Sequence, residues 1–102
     1  MIKKNYTPER GDIVGLKGKT CAVVISPKEY NEKTGLGLFC PITDKVKDYP
    51  FEVKIAIEKI NGVVLTDQIK NLDWKAQEIE FIDKIPPETI EEIMGKIVVL
   101  LE

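Results

Sequence analysis

Thr43 has a hydroxyl side chain and stands where an apolar, strand-like stretch meets a polar one, a position typical of functional residues. It follows the apolar stretch Leu36–Ile42, which indicates a strand, and it opens a polar run that continues through Asp44 and Lys45. Strand character resumes at Phe51. A polar break between two strands presents hydroxyls and charges to solvent while the strands fix their positions. We therefore take Thr43 as the first candidate for chemistry; the alternative is an ordinary hairpin residue with strand propensity.

The side-chain types that are missing narrow the chemistry further. The sequence has no histidine, which removes the commonest general acid/base near neutral pH and the commonest metal ligand. Arg10 is the only arginine, so a bidentate phosphate clamp can come from that position alone. Cys21 and Cys40 lie in apolar, strand-like surroundings without metal-ligand spacing, and we expect buried reduced thiols. We expect no metal and no cofactor.

Length and composition favour one globular domain over residues 1–102. The apolar share is 43% and the charged share 31%, as in ordinary soluble proteins. No apolar run approaches the roughly 20 residues that span a bilayer, and the first residues lack the apolar core of a secretory signal. These observations predict a cytoplasmic protein without a membrane segment. A net charge of −2 argues against a general electrostatic grip on nucleic acid but allows a local basic patch.

The charges are unevenly distributed along the chain, which favours such a patch. Lysines and the arginine are frequent in the first half, and acidic residues crowd the last quarter. The first group comprises Lys3, Lys4, Arg10, Lys17, Lys19, Lys28, Lys33, Lys45 and Lys47, and the second Glu78, Glu80, Asp83, Glu88, Glu91 and Glu92.

Turn signals and apolar patterns predict roughly six short strands and two helices. Ser26, Pro27 and Glu29 predict the start of a short helix, with Ser26 as N-cap and Glu29 closing a capping box. Gly35 is a natural left-handed stop. Asn61-Gly62 predicts the turn of a hairpin.

The second helix is expected at the C-terminus, after Pro86-Pro87, where apolar residues recur at helical spacing. That stripe indicates core or dimer packing. The predicted fold class is α+β and mainly β: a small, bent antiparallel sheet or SH3-like barrel with a short helix and a C-terminal helix. A two-fold dimer is expected because the chain is short and the helix stripe is apolar.

Several segments together resemble the MazF/PemK toxin family, whose fold is related to that of the CcdB gyrase poisons. Each segment alone is weak, but they occur in the family's order over most of the chain. The matching residues are Tyr6, Pro8, Gly11-Asp12, Ala22-Val23-Val24-Ile25-Ser26-Pro27, Tyr30-Asn31, Lys33-Thr34-Gly35, Pro41-Ile42-Thr43, Tyr49-Pro50-Phe51-Glu52-Val53, Asp67-Gln68-Ile69-Lys70 and Trp74.

The resemblance implies a dimeric toxin that cleaves single-stranded RNA at short sequences without metal and is neutralised by an antitoxin protein. It also implies that a threonine at the position of Thr43 and an arginine just before the second strand carry the cleavage. Freedom from metal and histidine fits this composition, because the RNA 2′-hydroxyl can act as nucleophile when charge at the phosphate is stabilised.

The sequence departs from the family pattern at the first loop. Family members usually carry a long loop that ends in Arg-Pro directly before the Ala-Val-Val run. Here only the short segment 15–19 remains of that loop, and Thr20-Cys21 stands where Arg-Pro is expected. Gly15 also replaces a large residue often found in the first strand. The catalytic arginine is therefore missing. Two explanations of the shortened loop are open: a natural inactive branch of the family, or a deletion engineered to abolish toxicity.

The sequence thus predicts an endoribonuclease scaffold with weak or absent activity. Thr43 and Lys19 are the candidate catalytic residues, with Lys19 or Arg10 as a source of the lost positive charge, although lysine does not reproduce a planar fork. The predicted RNA-binding residues are Arg10, Lys17, Asn31, Lys45 and Gln68. Two alternatives are a non-catalytic module that binds RNA or an antitoxin, and a gyrase-directed poison.

Overall fold

The computed structural model describes residues 6–17 and 20–102. This part of the chain contains seven strands and two helices, with one helix after β2 and the other after β7. The strands are β1 (Asp12–Leu16), β2 (Thr20–Val24), β3 (Leu36–Thr43), β4 (Glu52–Ala56), β5 (Asn61–Leu65), β6 (Lys70–Asp73) and β7 (Glu80–Lys84). The helices are α1 (Lys28–Thr34) and α2 (Pro87–Leu100), and a 3-10 turn covers Thr66–Gln68.

All strand pairs form one antiparallel sheet in the order β4-β5-β3-β2-β1-β7, and β6 also pairs with β3. The predicted class, α+β and mainly β with a short and a C-terminal helix, is confirmed. The prediction missed β6. Its sequence, Lys-Asn-Leu-Asp, is short and mostly polar, so it lacks the apolar alternation that marks a strand.

Apolar residues pack on both faces of the sheet. The larger cluster lies between the sheet and α2 and includes Ile13 of β1, Val53 of β4 and Ile93 of α2. Because β1 and β4 are separated by three other strands in the sheet, their presence in one cluster reflects a sheet that curls around the helix. On the opposite face, Phe39 and Trp74 belong to a second cluster.

The C-terminal helix begins where the two prolines predict. Pro87 is its first residue and Pro86 its N-cap. Ile93 and Ile97 are buried, so part of the predicted apolar stripe does pack against the core. The last apolar residues of the chain are exposed; these are Val98, Val99, Leu100 and Leu101.

The start of α1 differs from the prediction. Pro27 is the N-cap, and no side chain caps the helix. The Ser26 hydroxyl instead donates to Asn31 Oδ1 over 2.5 Å and accepts the Leu38 N–H over 2.9 Å. Ser26 is buried, and its hydroxyl is therefore engaged in tying α1 to β3. Gly35 ends the helix with a φ of 73°, as predicted.

The predicted β4–β5 hairpin is present, but its turn lies earlier than Asn61-Gly62. Ile57 and Ile60 exchange backbone hydrogen bonds, so the turn residues are Glu58 and Lys59, and Asn61 already belongs to β5. The tertiary fold requires glycine at position 62 for another reason. A Cβ on Gly62 would lie 2.4 Å from the carbonyl oxygen of Thr43, well inside contact distance.

Both cysteines are free thiols. Cys40 is buried as predicted, and burial together with the nearby Asp67 carboxylate raises the pKa of its thiol to about 12. Cys21 is half-buried, so the prediction of burial was too strong for that residue. In the part of the chain that the structure describes, no helix has the length and apolar character needed to cross a membrane.

We expect Gly62→Ala to lower the free energy of unfolding by about 1–3 kcal/mol, because a methyl group would force the backbone of β5 away from Thr43. Gly95→Ala is the matched control, since Gly95 lies in α2 with no atom within 4 Å of an added Cβ. That control should gain up to about 1 kcal/mol from helix propensity. Urea unfolding measures both changes. Equal stability of Gly62→Ala and the unsubstituted protein would contradict the close approach.

Candidate functional site

Thr43 is the last residue of β3 and pairs with Val63 of β5. Its side chain is half-buried, and its Oγ1 accepts the Lys45 N–H over 3.1 Å. A hydroxyl has one proton to donate as well as lone pairs that accept. Among the residues that the structure describes, the Thr43 hydroxyl donates to no acceptor. Its proton is therefore available to an incoming acceptor.

Strand register brings a lysine into line with Thr43. Val63 pairs with Thr43 on one side and with Lys54 of β4 on the other. Directly opposed residues of antiparallel strands point to the same face of the sheet, so Lys54 and Thr43 share a face, about 10 Å apart across Val63. The sequence analysis missed Lys54. Its alternation with the buried Val53 and Ile55 marks it as an outward-facing strand residue, but only the register relates it to Thr43.

A second strand pair brings the β1–β2 connection to the same end of the sheet. Cys21 pairs with Ile42, the residue before Thr43, and Leu16 pairs with Thr20. Lys17 directly follows Leu16 and is exposed. We call this region, formed by Thr43, Lys17, Lys45 and Lys54, the Thr43 end of the sheet.

The lysines at the Thr43 end are free to bind an anion. Lys17, Lys45 and Lys54 are exposed, and so is the neighbouring Lys47. Over residues 6–17 and 20–102, the ion pairs involve Lys84 with Glu9 and Asp12, and none involves these four lysines. Several unpaired ammonium groups around a hydroxyl donor suit a phosphate, whose charge and oxygens they complement.

The loop that follows Thr43, residues 44–51, is held at several points. The Glu52 carboxylate accepts the N–H groups of Lys47 and Asp48 over 2.9 and 3.0 Å. The Tyr49 hydroxyl donates to Asp67 Oδ1 over 2.7 Å, and this hydrogen bond is the main reason that the pKa of Tyr49 rises to about 12. Lys96 Nζ of α2 donates to the carbonyl of Pro50 over 2.6 Å.

An open cleft of about 370 Å³ lies along this loop. Lys54, which shares a face with Thr43, is among its lining residues, whereas Thr43 itself is not. The full lining is Asp48, Tyr49, Pro50, Glu52, Lys54 and Lys96.

Comparison with protein families gives a match over nearly the whole chain. Residues 3–101 match the model described as PemK-like, MazF-like toxin of type II toxin-antitoxin system. The chain belongs to this family. The resemblance noted in the sequence is thereby confirmed, and Thr43 can be considered within a PemK/MazF toxin.

Individual relatives agree with the family assignment. The chain is 37% identical to the "Endoribonuclease toxin MazF" of Escherichia coli K12, with 94% of this chain and 96% of that protein covered. It is 39% identical to a chain of the MazE-MazF crystal structure (Form-III) from Deinococcus radiodurans, with a TM-score of 0.89 and coverage of 94% and 97%. A MazF crystal structure (Form-I) from the same organism matches at 36% identity and a TM-score of 0.90, covering 95% and 98%.

In this PemK/MazF toxin, the connection between β1 and β2 is as short as the sequence indicates. β1 ends at Leu16 and β2 begins at Thr20. Since Cys21 pairs with Ile42, the start of β2 lies directly beside Thr43. Thr20 and Cys21 occupy the positions where the resemblance places arginine and proline. The site therefore has a hydroxyl and a thiol where the family's guanidinium is expected.

The structure does not bring Arg10 to the Thr43 end. Arg10 Nε donates to the carbonyl of Ile25 over 2.6 Å. Ile25 lies just beyond the far end of β2, four residues from Cys21, which is roughly 13 Å along a strand. In this conformation Arg10 therefore lies at the opposite end of β2 from Thr43, and its replacement of the missing arginine stays a prediction that this geometry does not favour.

Asn31 is also placed away from the Thr43 end, and it is completely buried. Its side-chain amide donates to the carbonyls of Pro8 and Ser26 over 2.8 and 3.1 Å, and its Oδ1 accepts from the Ser26 hydroxyl. Trp74 Nε1 donates to the Asn31 carbonyl over 3.1 Å. A side chain enclosed in this way does not reach the surface in this conformation, so the contacts of Asn31 favour a structural role over the predicted RNA binding.

The remaining predicted site residues differ in position. Lys17 and Lys45 lie at the Thr43 end, as described above. Gln68 is exposed in the 3-10 turn that connects β5 with β6. Since β5 pairs with β3 at Ile42 and β6 pairs with β3 at Phe39, this turn lies alongside β3 between those two residues. Lys19 lies outside the described residues. Within the described residues, no three His, Cys, Asp or Glu side chains gather as a metal site would require.

Replacing Asn31 tests its structural role. We expect Asn31→Ala to lower the free energy of unfolding by about 3 kcal/mol, because it leaves the Pro8 and Ser26 carbonyls and the Ser26 hydroxyl short of buried partners. Gln68→Ala, at an exposed position, should change it by less than about 0.5 kcal/mol. Chemical denaturation gives both values. An Asn31→Ala protein as stable as Gln68→Ala would contradict this assignment.

Proposed function

We propose that this PemK/MazF-family toxin acts on single-stranded RNA at the Thr43 end of the sheet. The observation that carries the proposal is the juxtaposition of an available Thr43 hydroxyl proton with unpaired lysines from β4 and from two connecting segments. RNA offers this site a chain of phosphates. An E. coli relative named as an endoribonuclease supports the same substrate class.

The proposed reaction uses the RNA itself as nucleophile. The 2′-hydroxyl oxygen of a ribose attacks the adjacent phosphorus and loses its proton to solvent. The bond from phosphorus to the 5′ oxygen of the next nucleotide breaks, and that oxygen takes a proton from solvent. Thr43 donates a hydrogen bond to a non-bridging phosphate oxygen as its charge grows, and Lys45 and Lys54 add positive charge.

Cleavage by this chain is proposed to be slow, since the start of β2 supplies Thr20 and Cys21 and no guanidinium. An ammonium group is a point charge and cannot form the two parallel hydrogen bonds of a planar fork. The same observation favours a second candidate function, in which the chain binds RNA or an antitoxin without cleaving. Cleavage of RNA separates the two.

Thr43→Ala provides the test of the proposed site. We expect cleavage of a long single-stranded RNA to fall by about a hundredfold, because one donor to the developing phosphate charge is lost. The free energy of unfolding should change by no more than about 1.5 kcal/mol, the contribution of a typical hydrogen bond. Thr43→Ser keeps the hydroxyl and is the matched control, in which cleavage should largely persist. Gel analysis of RNA fragments, with and without chelator, gives the readout.

This cleavage experiment, together with an RNA-binding assay and a gyrase supercoiling assay, discriminates the candidate functions. Unchanged cleavage in Thr43→Ala would contradict the proposed role of Thr43. RNA binding at low salt without cleavage in the unsubstituted protein would favour the binding module. Inhibition of gyrase supercoiling without any effect on RNA would favour the gyrase-directed reading.

We also propose an antitoxin protein as a partner. The family is that of type II toxin-antitoxin systems, and the similar Deinococcus chain was crystallised in a MazE-MazF structure.

A two-fold dimer is the proposed assembly. The structure supports it through the exposed apolar residues at the end of α2, which a second copy would cover. Light scattering at micromolar concentration should give twice the 11.5 kDa chain mass. Val99→Glu should shift the equilibrium toward monomer by placing a charge in the contact, whereas Lys28→Glu, on the exposed surface of α1, should leave it unchanged. A concentration-independent monomer would contradict the dimer.

A further inference from the structure

Glu52 stands at the start of β4, but its carboxylate contacts the loop that precedes the strand. Oε2 accepts the Lys47 N–H over 2.9 Å and Oε1 accepts the Asp48 N–H over 3.0 Å. Two successive backbone N–H groups that converge in this way form a concave anion site of the kind called a nest. Here the anion is the Glu52 carboxylate of the same chain, so the start of β4 is hydrogen-bonded to the middle of the loop that precedes it.

The contact with Glu52 involves a residue with an unusual backbone conformation, Asp48. Asp48 has a φ of 58°, in the left-handed region that non-glycine residues seldom adopt. Asp48 therefore combines an uncommon backbone conformation with a backbone N–H that is bound to the Glu52 carboxylate. Aspartate enters this region more readily than most residues with a Cβ, but the conformation still costs free energy, which the contacts with Glu52 help to offset.

Other contacts hold the two ends of the loop but leave its middle to Glu52. At the first end, the Lys45 N–H is bound to Thr43 Oγ1. At the second end, Tyr49 is bound to Asp67 and the Pro50 carbonyl to Lys96. Residues 47 and 48 lie between these anchors. Among the described residues, the Glu52 carboxylate is the hydrogen-bond acceptor that fixes them.

We propose that Glu52 is a positioning residue for RNA binding, which holds the middle of the 44–51 loop so that Lys47 stays near the Thr43 end of the sheet. This inference rests on the proposed function. Glu52 does not touch the reacting phosphate; it acts through the loop that carries the lysines. A pre-ordered loop spares RNA the entropic cost of ordering it on binding.

The proposal and simple electrostatics predict opposite results when the carboxylate is removed. A negative charge near an RNA site repels phosphate, so its removal alone would tighten RNA binding. A carboxylate that positions the loop has the reverse effect, because its removal frees residues 47 and 48 and weakens binding. The sign of the change therefore separates the two roles.

The test uses the full chain with Glu52→Ala and Glu52→Gln, and with Glu58→Ala and Glu58→Gln as matched controls. Glu58 lies exposed in the turn after β4, so both pairs remove one negative charge from the same hairpin. A defined single-stranded RNA oligonucleotide gives KM and kcat, or Kd where cleavage is too slow. Amide hydrogen exchange at Lys47 and Asp48 reports the loop independently of RNA.

We expect Glu52→Ala to raise KM or Kd about five- to thirtyfold, as the loss of one or two hydrogen bonds implies, with kcat within about twofold. Glu52→Gln should fall between Glu52→Ala and the unsubstituted protein, because its amide oxygen accepts one N–H while its NH₂ group cannot accept the other. Exchange at Lys47 and Asp48 should accelerate in both variants while the melting temperature stays close to its original value. The Glu58 variants should bind RNA as before or slightly more tightly.

Unchanged or tighter RNA binding by Glu52→Ala would overturn the inference while leaving the proposed function intact. Unchanged exchange at Lys47 and Asp48 would overturn it as well, because the loop would then keep its order without Glu52. If the unsubstituted protein neither binds nor cleaves RNA, the proposed function fails and the RNA role of Glu52 fails with it.

Discussion

The pairing of β3 with three other strands is the constraint on which the rest of the structure depends. β2 runs along one side of β3, while β5 and β6 divide the other side between them. Because antiparallel register fixes which residues are opposed, this pairing decides that Thr43 lies beside Val63 and that the start of β2 lies beside Thr43. The close approach of Gly62 to the Thr43 backbone depends on the same register and admits no side chain.

The polar side chains at the two ends of this sheet differ in burial and in hydrogen bonding. At the end formed by Asn31, Ser26 and Trp74, the polar groups are buried and hydrogen-bonded to one another, so they tie α1 and the β6–β7 connection to the sheet. A similar network joins Tyr6 and Lys84 to the buried Asp12, and burial together with the Asp12 hydrogen bond raises the pKa of Tyr6. At the Thr43 end, the lysines are exposed and unpaired within the described residues. The polar groups of the first end are satisfied by one another, whereas the unpaired positive charge of the second end favours contact with anions.

Positive charge at the Thr43 end is local, because the chain as a whole carries −2. Acidic residues of the loop and of β4 stand among the lysines, and Glu52 is used internally by the loop backbone. In the proposed function, such a surface would bind a strand of phosphates through a few placed contacts and gain little from a general field. The absence of a guanidinium at the start of β2 therefore affects this chain more than it would a strongly basic protein.

The sequence by itself determined the family, the fold class, the start of α2 and the position of Thr43 at the end of a strand, because apolar periodicity, proline and ordered short segments are local signals. Only the tertiary structure decided that Asn31 is interior, that Arg10 is at the opposite end of β2 from Thr43, that Lys54 faces the same side as Thr43 and that Glu52 binds the middle of the loop. Each of these depends on contacts between residues far apart in the chain or on strand register, and neither is visible in the composition of any one segment. A polar residue in a loop has the same sequence signature whether it is exposed to bind a ligand or enclosed to satisfy buried carbonyls, and only packing separates the two cases.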